Sequence, residues 1–196
     1  IEDGPKTVAI VHEDALFPTA FADAAERLAE EHGFTVVYKN SFPQGIDFAS
    51  LMKAVSETDP DILITGGSTL GMIQLVRQAA EQGLSFPMWM FSLGPTVPGF
   101  QEAVGQNGEN KLEPIQWAPN FAPEKRDENF GWNAAEYAEL FHDKFGYVPD
   151  YHPPQSSAAL EVFYKAISEA GTLDHDAVRD AIADIQLTSF YGDVCF

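Results

Sequence analysis

The sequence predicts an α/β fold: a doubly wound parallel sheet with helices on both faces, followed by a helical segment that belongs to a second lobe. Two observations lead to this prediction. Short apolar runs recur through the first half of the chain, and segments with helical periodicity lie between them at nearly constant spacing. Strands and helices that alternate in this way form βαβ units, whose right-handed crossovers build a parallel sheet covered on both sides.

The predicted strands are continuous apolar runs, without the strict alternation of polar and apolar residues that marks a half-exposed strand. Continuous runs are typical of strands that are buried on both faces of a parallel sheet. They are short, as strands of such sheets commonly are. We place them at residues 7–11, 35–38, 61–65 and 88–91.

The predicted helices between these strands carry apolar residues three and four positions apart, so that one face of each helix can pack on the sheet. Gly33 and Gly83 follow the first and the third helix, and glycine is the residue with which helices commonly end. Together with the strands, these helices make residues 1–113 one α/β lobe. The helices span residues 21–32, 48–57 and 72–82.

The alternating pattern of strands and helices ends at residues 114–123, which we predict to be a hinge or crossover between two lobes. Pro114 and Pro119 flank an apolar stretch there, and we predict a short strand at residues 112–119. Proline lacks the N–H group that a sheet ladder needs, so such a strand would lie at an edge.

The rest of the chain is predicted to be mostly helical. Asp174 is a candidate N-cap, because its carboxylate can accept a hydrogen bond from a first-turn N–H group. We assign residues 124–188 to the helical part of the second lobe. Residues 189–196 would form a return crossover strand in which Cys195 is packed. The predicted helices span residues 128–145, 155–170 and 174–185.

The charge balance excludes several classes of partner. The chain has 30 acidic and 11 basic residues and a formal net charge of -19. An acidic surface repels a phosphate backbone, so nucleic acid is not an expected partner. No apolar run approaches the roughly 20 residues that span a bilayer, so direct membrane insertion is not expected. No signal-peptide pattern occurs at Ile1, and we expect that any export leader has been removed.

Metal and cofactor sites are not expected. Cys195 is the one cysteine of the chain, which excludes an intrachain disulfide and a thiolate zinc site. The run His12, Glu13 and Asp14 offers ligand atoms, but consecutive residues on a loop rarely converge on one ion. We therefore interpret this run as solvated loop charge.

Ligands of open parallel sheets bind outside the carboxyl ends of the strands, where loops and helix N-termini present unpaired N–H groups. This rule selects three loops, at residues 12–18, 66–71 and 92–96. In the second loop, two glycines allow close approach of the backbone, and Ser68 either caps the next helix or bonds a ligand. The candidate ligand-binding residues in these loops are Phe17, Gly67, Ser68, Thr69, Ser92 and Leu93.

Two alternatives concern single residues. Ser68 lies between a strand and a helix, as the nucleophile of a serine hydrolase does, but Leu70 stands where that motif has its second glycine. A histidine partner would have to come from further along the chain. Trp117 belongs to an aromatic cluster that forms either part of a core or a binding platform, and we include it among the candidate ligand-binding residues.

Several segments, taken in order, resemble the branched-chain amino acid (Leu/Ile/Val) family of type I periplasmic solute-binding proteins, the receptors of ABC transporters. They cover nearly the whole chain, and their order and spacing make the set specific. The segments are residues 8–14, 42–51, 59–67, 75–84, 144–151 and 190–194.

The resemblance implies a two-lobed receptor without catalytic activity or cofactor, which closes on a small solute by hinge motion and delivers it to a membrane permease. It implies a periplasmic or extracytoplasmic location, and a ligand-sensing domain of a regulator or chemoreceptor is the alternative with the same fold. The family's opening strands have no counterpart in this chain.

The resemblance also implies roles for particular residues. Phe17 matches the position of an aromatic residue beside the ligand, and Gly67 and Ser68 match a second contact loop. The loop at Ser92 and Leu93 corresponds to one where amino acid receptors hold a carboxylate for the ligand's ammonium group, and here it carries no acid. This departure favours a neutral, aromatic or carboxylated solute, because a buried ammonium without a counter-charge is costly.

Overall fold

Strands and helices alternate through the first part of the chain, as the periodicity predicts. The computed structural model describes residues 4, 6–122 and 124–196. Its first five strands are β1 (Thr7–Glu13), β2 (Thr35–Phe42), β3 (Ile62–Gly66), β4 (Met88–Phe91) and β5 (Lys111–Leu112). The α-helices among them are α1 (Leu16–Glu31), α2 (Ala49–Ser56), α3 (Thr69–Glu81) and α4 (Phe100–Val104), and a 3-10 helix follows at Gly105–Gly108.

The five strands form one parallel sheet in the order β2-β1-β3-β4-β5. The fold class predicted from the sequence is therefore confirmed. Because β1 has β2 on one side and β3 on the other, the connections wind in opposite directions from it. This reversal of strand order lies between β1 and β3, and in sheets of this order ligands bind at the carboxyl ends of those two strands.

The two faces of the sheet carry cores of different size. Val8 and Ile10 of β1 pack with Ala22 of α1 on one face. The alternate residues Ala9 and Val11 point to the other face, where α2 and α3 supply the larger core. Complete burial of a Val, Ile, Leu, Met or Phe side chain stabilises a fold by about 1.5–3 kcal/mol. Fully buried members of the larger core are Phe48, Met52, Val55, Leu63, Met72, Leu75, Phe91 and Phe100.

The chain divides into two compact units, Ile1–Pro114 and Ile115–Phe196. The second unit consists mainly of helices, and its short strands β6 and β7 pair antiparallel. Asp174 is the N-cap of its last helix and accepts a hydrogen bond from the N–H of Ala177, as predicted. The elements of this unit are α5 (Ala134–Phe145), α6 (His152–Ala170), α7 (His175–Ala183), β6 (Gln186–Ser189) and β7 (Gly192–Cys195).

Several boundaries differ from the prediction. α1 begins at Leu16, five residues early, because Pro18 lies in its first turn, where proline is tolerated. α5 begins only at Ala134, where the side chains of Asn133 and Glu136 form a reciprocal capping box. α6 begins at His152 with two prolines in its first turn.

The predicted strand at residues 112–119 is wrong, because the pairing with β4 ends at Leu112 and prolines follow. Cys195 does lie in a strand, β7, but it is exposed and not packed. The helix α4 had no counterpart in the prediction, since five residues are too few to show a period. Among the described residues, no helix is long and apolar enough to cross a bilayer.

Candidate ligand-binding site

The carboxyl ends of β1, β3 and β4 meet at one edge of the sheet, because the three strands are adjacent and parallel. β1 ends at Glu13, β3 is followed by Gly67 and Ser68, and β4 is followed by Ser92. The predicted loops are thus brought together at the switch point of the sheet, where parallel α/β folds bind ligands.

Two hydrogen bonds join these strand ends. The carboxylate Oε2 of Glu13 accepts from the N–H of Ser68 at 2.9 Å, and Oγ of Ser92 accepts from the N–H of Gly67 at 3.3 Å. Glu13 and Ser92 are both 8% exposed. These two amides of the 66–71 loop are therefore used within the protein, and Ser92 acts here as a support for the loop.

Gly67 allows a close approach, but the neighbour it approaches belongs to the protein. A Cβ atom at this position would lie 2.8 Å from Cε of Met72 and 3.2 Å from Oε2 of Glu13. Only glycine leaves room for both side chains without a shift. The glycine thus accommodates the side chains of Met72 and Glu13 at the ends of β1 and β3.

Ser68 is the N-cap of α3, and its Oγ accepts from the N–H of Gly71 at 3.4 Å. The first intrahelical bond runs from the N–H of Met72 to the carbonyl of Ser68. The N–H groups of Thr69 and Leu70 precede this bond, so helix geometry provides no intrahelical acceptor for them. They lie at the positive end of the helix dipole, which favours an oxygen acceptor or an anion.

Apolar side chains are exposed at the same edge. Phe17 lies in the first turn of α1 and is 62% exposed, with its ring stacked on Phe21 at 6.5 Å. Leu16 is 95% exposed and Leu70 is 65% exposed. Leu93, in the loop after β4, is partly buried. The sequence analysis did not include Leu16 and Leu70 among the candidate ligand-binding residues. It placed the starts of α1 and α3 too late, and so did not show that both residues lie in first turns at the strand ends.

The interpretation of His12 and Glu13 as solvated loop charge is wrong. Both belong to β1 and are buried, at 6% and 8% exposure. His12 Nδ1 lies 3.0 Å from the carbonyl of Glu13. The interpretation failed because β1 continues two residues beyond the apolar run from which the strand was predicted. Within the described residues, no three His, Cys, Asp or Glu side chains are grouped as a metal site requires.

The hydrolase alternative finds no support in the geometry of the first unit. The hydroxyl of Ser68 is occupied as a helix cap. The buried imidazole of this unit, His12, bonds the carbonyl of Glu13 and lies 3.5 Å from Oγ1 of Thr19. A nucleophilic serine needs a base within hydrogen-bonding reach, and the hydrogen bonds described for His12 do not involve Ser68.

Trp117 lies in the second unit and is 2% exposed. Its indole N–H donates to the carbonyl of Phe190 at 3.0 Å, and its ring meets Tyr137 edge to face at 5.9 Å. Packing with Ala134 and Ala138 completes the environment. These contacts account for the residue as part of the core of this unit.

We expect Glu13→Ala to lower the free energy of unfolding of the first unit by about 1–3 kcal/mol, because the partly buried N–H of Ser68 loses its charged acceptor. Urea unfolding followed by circular dichroism measures the change. Glu13→Gln keeps an acceptor oxygen and should recover most of the loss. Equal destabilisation by the two variants would show that the negative charge, and not the hydrogen bond, holds the loop.

The strand order and this open edge at the switch point define an α/β binding fold of the doubly wound class. The chain belongs to a particular family within that class: the sequence model of the family described as "Periplasmic binding protein" matches residues 1–196. The resemblance inferred from the sequence is thereby confirmed.

The sequence identity to individual relatives is low. The chain is 21% identical to the Leu/Ile/Val-binding protein homolog 7 of Brucella suis over 187 residues, which are 92% of this chain and 45% of that protein. It is 24% identical to homolog 1 of Brucella abortus over 182 residues, 90% of this chain and 45% of that protein. The chain thus spans about half the length of these relatives.

Solved structures share the fold. A leucine-binding protein LivK from Thermotoga maritima superposes with a TM-score of 0.84 at 20% identity, over 98% of this chain and 53% of that one. A leucine-, isoleucine-, valine-, threonine- and alanine-binding protein from Brucella ovis, in a closed conformation, gives 0.81 at 19% identity, over 97% and 48%.

Proposed function

We propose that the polypeptide containing this chain is an extracytoplasmic receptor that captures a small solute for an ABC-type uptake transporter, without catalysis. The observation that carries the proposal is the open edge at the switch point, where exposed Phe17 and Leu70 accompany the N–H groups of Thr69 and Leu70, for which helix geometry provides no acceptor. Membership of the periplasmic binding protein family supports a binding role, a periplasmic location and a membrane permease as partner.

The solute has an apolar part and an oxygen-bearing polar part. The amides of Thr69 and Leu70 suit a carboxylate or a carbonyl oxygen, and the hydroxyls of Ser68 and Thr69 can add to them. Phe17 provides a ring for an aliphatic or aromatic group. Relatives are named for leucine, isoleucine and valine, so branched amino acids, their amides and the related carboxylic acids form the first class to test.

The loop after β4 favours a solute without a free ammonium group. Residues 92–96 contain no acid, and the carboxylate of Glu13 is buried and already accepts from Ser68. The acid beside this loop is Glu113, whose Oε2 already accepts from the N–H and Oγ1 of Thr96. An ammonium that does not reach Glu113 would be unpaired, which costs several kcal/mol. We therefore rank amides, aromatic acids and small carboxylates above free amino acids.

Residues 114–123 would act as the hinge in this function, and residues 189–196 as the return crossover. The division of the chain after Pro114 supports a boundary at this place. Pro114 and Pro119 restrict the backbone torsions of the segment, which would confine bending to few residues.

A thermal-shift screen of the full-length polypeptide tests the proposal with amino acids, aliphatic amides, aromatic acids and dicarboxylates. A ligand at about 100 times its Kd adds about 2.7 kcal/mol and raises Tm by several degrees. A saturable shift for one chemical class identifies the solute. Silence across the panel, with folded protein that carries no bound ligand, contradicts the proposal.

Phe17→Ala should weaken binding of the identified solute about tenfold, with a change in unfolding free energy within about 0.5 kcal/mol, because the exposed ring contributes little to the core. Isothermal titration and thermal melts measure the two effects. Leu28→Ala, about three turns further along α1, is the matched control for binding. If Phe17→Ala unfolds the first unit and leaves the affinity unchanged, the site is misplaced.

A further inference from the structure

The second unit contains a buried acid that lacks a partner. Glu161 of α6 is 5% exposed, and its carboxyl oxygens make no hydrogen bond of good geometry with a described residue, the nearest polar side chains being those of Asp127 and Ser189. A buried carboxylate is costly unless it is paired. An unsatisfied polar group of this kind in a folded protein calls for a function or an absent partner.

Glu161 borders an aromatic cavity of about 390 Å³. On one wall, the rings of Phe130 and Trp132 are stacked at 4.8 Å with an angle of 15°. On another, Tyr137 is stacked on Phe190 at 4.2 Å. Phe130 is 54% exposed, so part of the aromatic surface is open to a molecule from solution.

The charged groups around the cavity do not neutralise Glu161. Asp127 is also buried, and its Oδ1 accepts from the N–H groups of Asn129 and Phe130 at 2.8 Å each. Lys165, one turn after Glu161, directs its Nζ to the carbonyl of Gln186 at 2.6 Å. Glu161 is therefore the acid that lines the cavity, with buried Asp127 near it, and the ion pairs described for this unit do not include Glu161.

We propose that this cavity binds an organic cation, with an ammonium or guanidinium group at the Glu161 carboxylate and its carbon chain against Phe130 and Trp132. The cation would supply the N–H donors that the carboxylate lacks, and the aromatic faces attract positive charge. The net charge of -19 favours the approach of cations from solution. This site lies in the second unit and is independent of the solute site proposed in the first.

Two sources of the cation are compatible with the same chemistry. It is either a free amine or a basic side chain from elsewhere in the full-length polypeptide. Butylammonium serves as the probe for both, since it copies the end of a lysine side chain and stays charged up to about pH 9.

Titration of the 196-residue chain with butylammonium at pH 8.5, followed by tryptophan fluorescence, should give saturable binding. Glu161→Gln should weaken it about tenfold or more, and Phe130→Leu should weaken it about threefold. Glu169→Gln, an exposed change of the same type on α6, should have no effect. 1-Butanol, which has no charge, should not bind measurably.

The binding should also weaken about tenfold or more when the pH falls from 8.5 to 6, because burial and next the interaction with the Asp127 side chain raise the pKa of Glu161 to about 8, against an opposing effect of the Ser189 side chain. Tyr137 also faces Glu161, and its raised pKa keeps it neutral in this range. The pH dependence should be absent in Glu161→Gln.

Repeating the titration with the full-length polypeptide distinguishes the two sources of the cation. Binding there identifies a free cation as the occupant, whereas loss of binding identifies a side chain of the polypeptide itself. Absence of binding to the 196-residue chain, equal affinity in Glu161→Gln, or equal binding of 1-butanol would overturn the proposal.

Discussion

Raising the pH from 5 to 8 should lower the unfolding free energy of the second unit by roughly 2–4 kcal/mol, since one pKa unit corresponds to about 1.4 kcal/mol. The cause is Glu161, whose pKa rises from 4.5 to about 8, chiefly by burial and next by the neighbouring Asp127. The folded state holds this proton through the window, and the unfolded state releases it. The contribution of Glu161 to stability is therefore complete below about pH 4.5 and is lost as the pH rises towards 8.

The other shifted carboxyl groups act in a different range. Hydrogen bonds from the Thr188 amide and then Lys165 lower the pKa of Glu128, and Arg126 lowers that of Glu136. The stability they contribute is lost only as the pH falls below their ordinary values. The interval from pH 5 to 8 therefore excludes these two acids, and comparison with a Glu161 variant separates Glu161 from the five histidines of the chain.

Urea unfolding of the protein and of Glu161→Gln across this interval measures the effect. Residue 161 stays neutral in the variant, so the stability of the parent relative to the variant should fall by roughly 2–4 kcal/mol from pH 5 to pH 8, and the variant should be the more stable of the two at pH 8. Glu169→Gln is the control, because its side chain is exposed on the same helix. Parallel pH profiles for the parent and for Glu161→Gln would show that the acid does not titrate in this range.

Trp117→Ala should destabilise the second unit by about 3–5 kcal/mol, the range observed when a buried tryptophan or phenylalanine is truncated. The residue is 2% exposed and contacts Tyr137 and Phe190, so its removal leaves a cavity at the centre of the aromatic cluster. Chemical unfolding followed by far-UV circular dichroism checks the loss.

Trp117→Phe keeps most of the volume and removes the indole N–H, which leaves the carbonyl of Phe190 without this donor. A cost of about 1–3 kcal/mol follows from an unsatisfied buried acceptor. If Trp117 were instead a binding platform, both variants would retain their stability and lose affinity for the solute. That result would reverse the assignment of this residue to the core.

Local patterns predicted most of the first unit. The runs at residues 7–11, 35–38, 61–65 and 88–91 each coincide with a strand of the sheet, apart from Asp61, which precedes β3, and their spacing indicated parallel pairing. Periodicity is a short-range property, so it locates an element well and its ends poorly. The early start of α1 shows this limit, since Leu16 and Phe17 were expected in a loop and lie in a helix.

The sequence predicted the position of the candidate site but not the contacts that support its loops. The sheet edge at Gly67 and Ser68 followed from the rule for parallel sheets, but the support of this loop by Glu13 did not. Glu13 and Ser68 are 55 positions apart in the chain. A single carboxylate at the end of an apolar run gives no sign that the chain will return to cover it.

The class of fold, the family resemblance and the strand ends at which a ligand would be sought follow from local patterns along the chain. Which acids are buried follows from long-range packing: Glu13 and Asp127 accept hydrogen bonds, and Glu161 makes none of good geometry. The physical reason is that the free energy of a buried charge depends on the groups packed around it. Those groups come from distant parts of the chain.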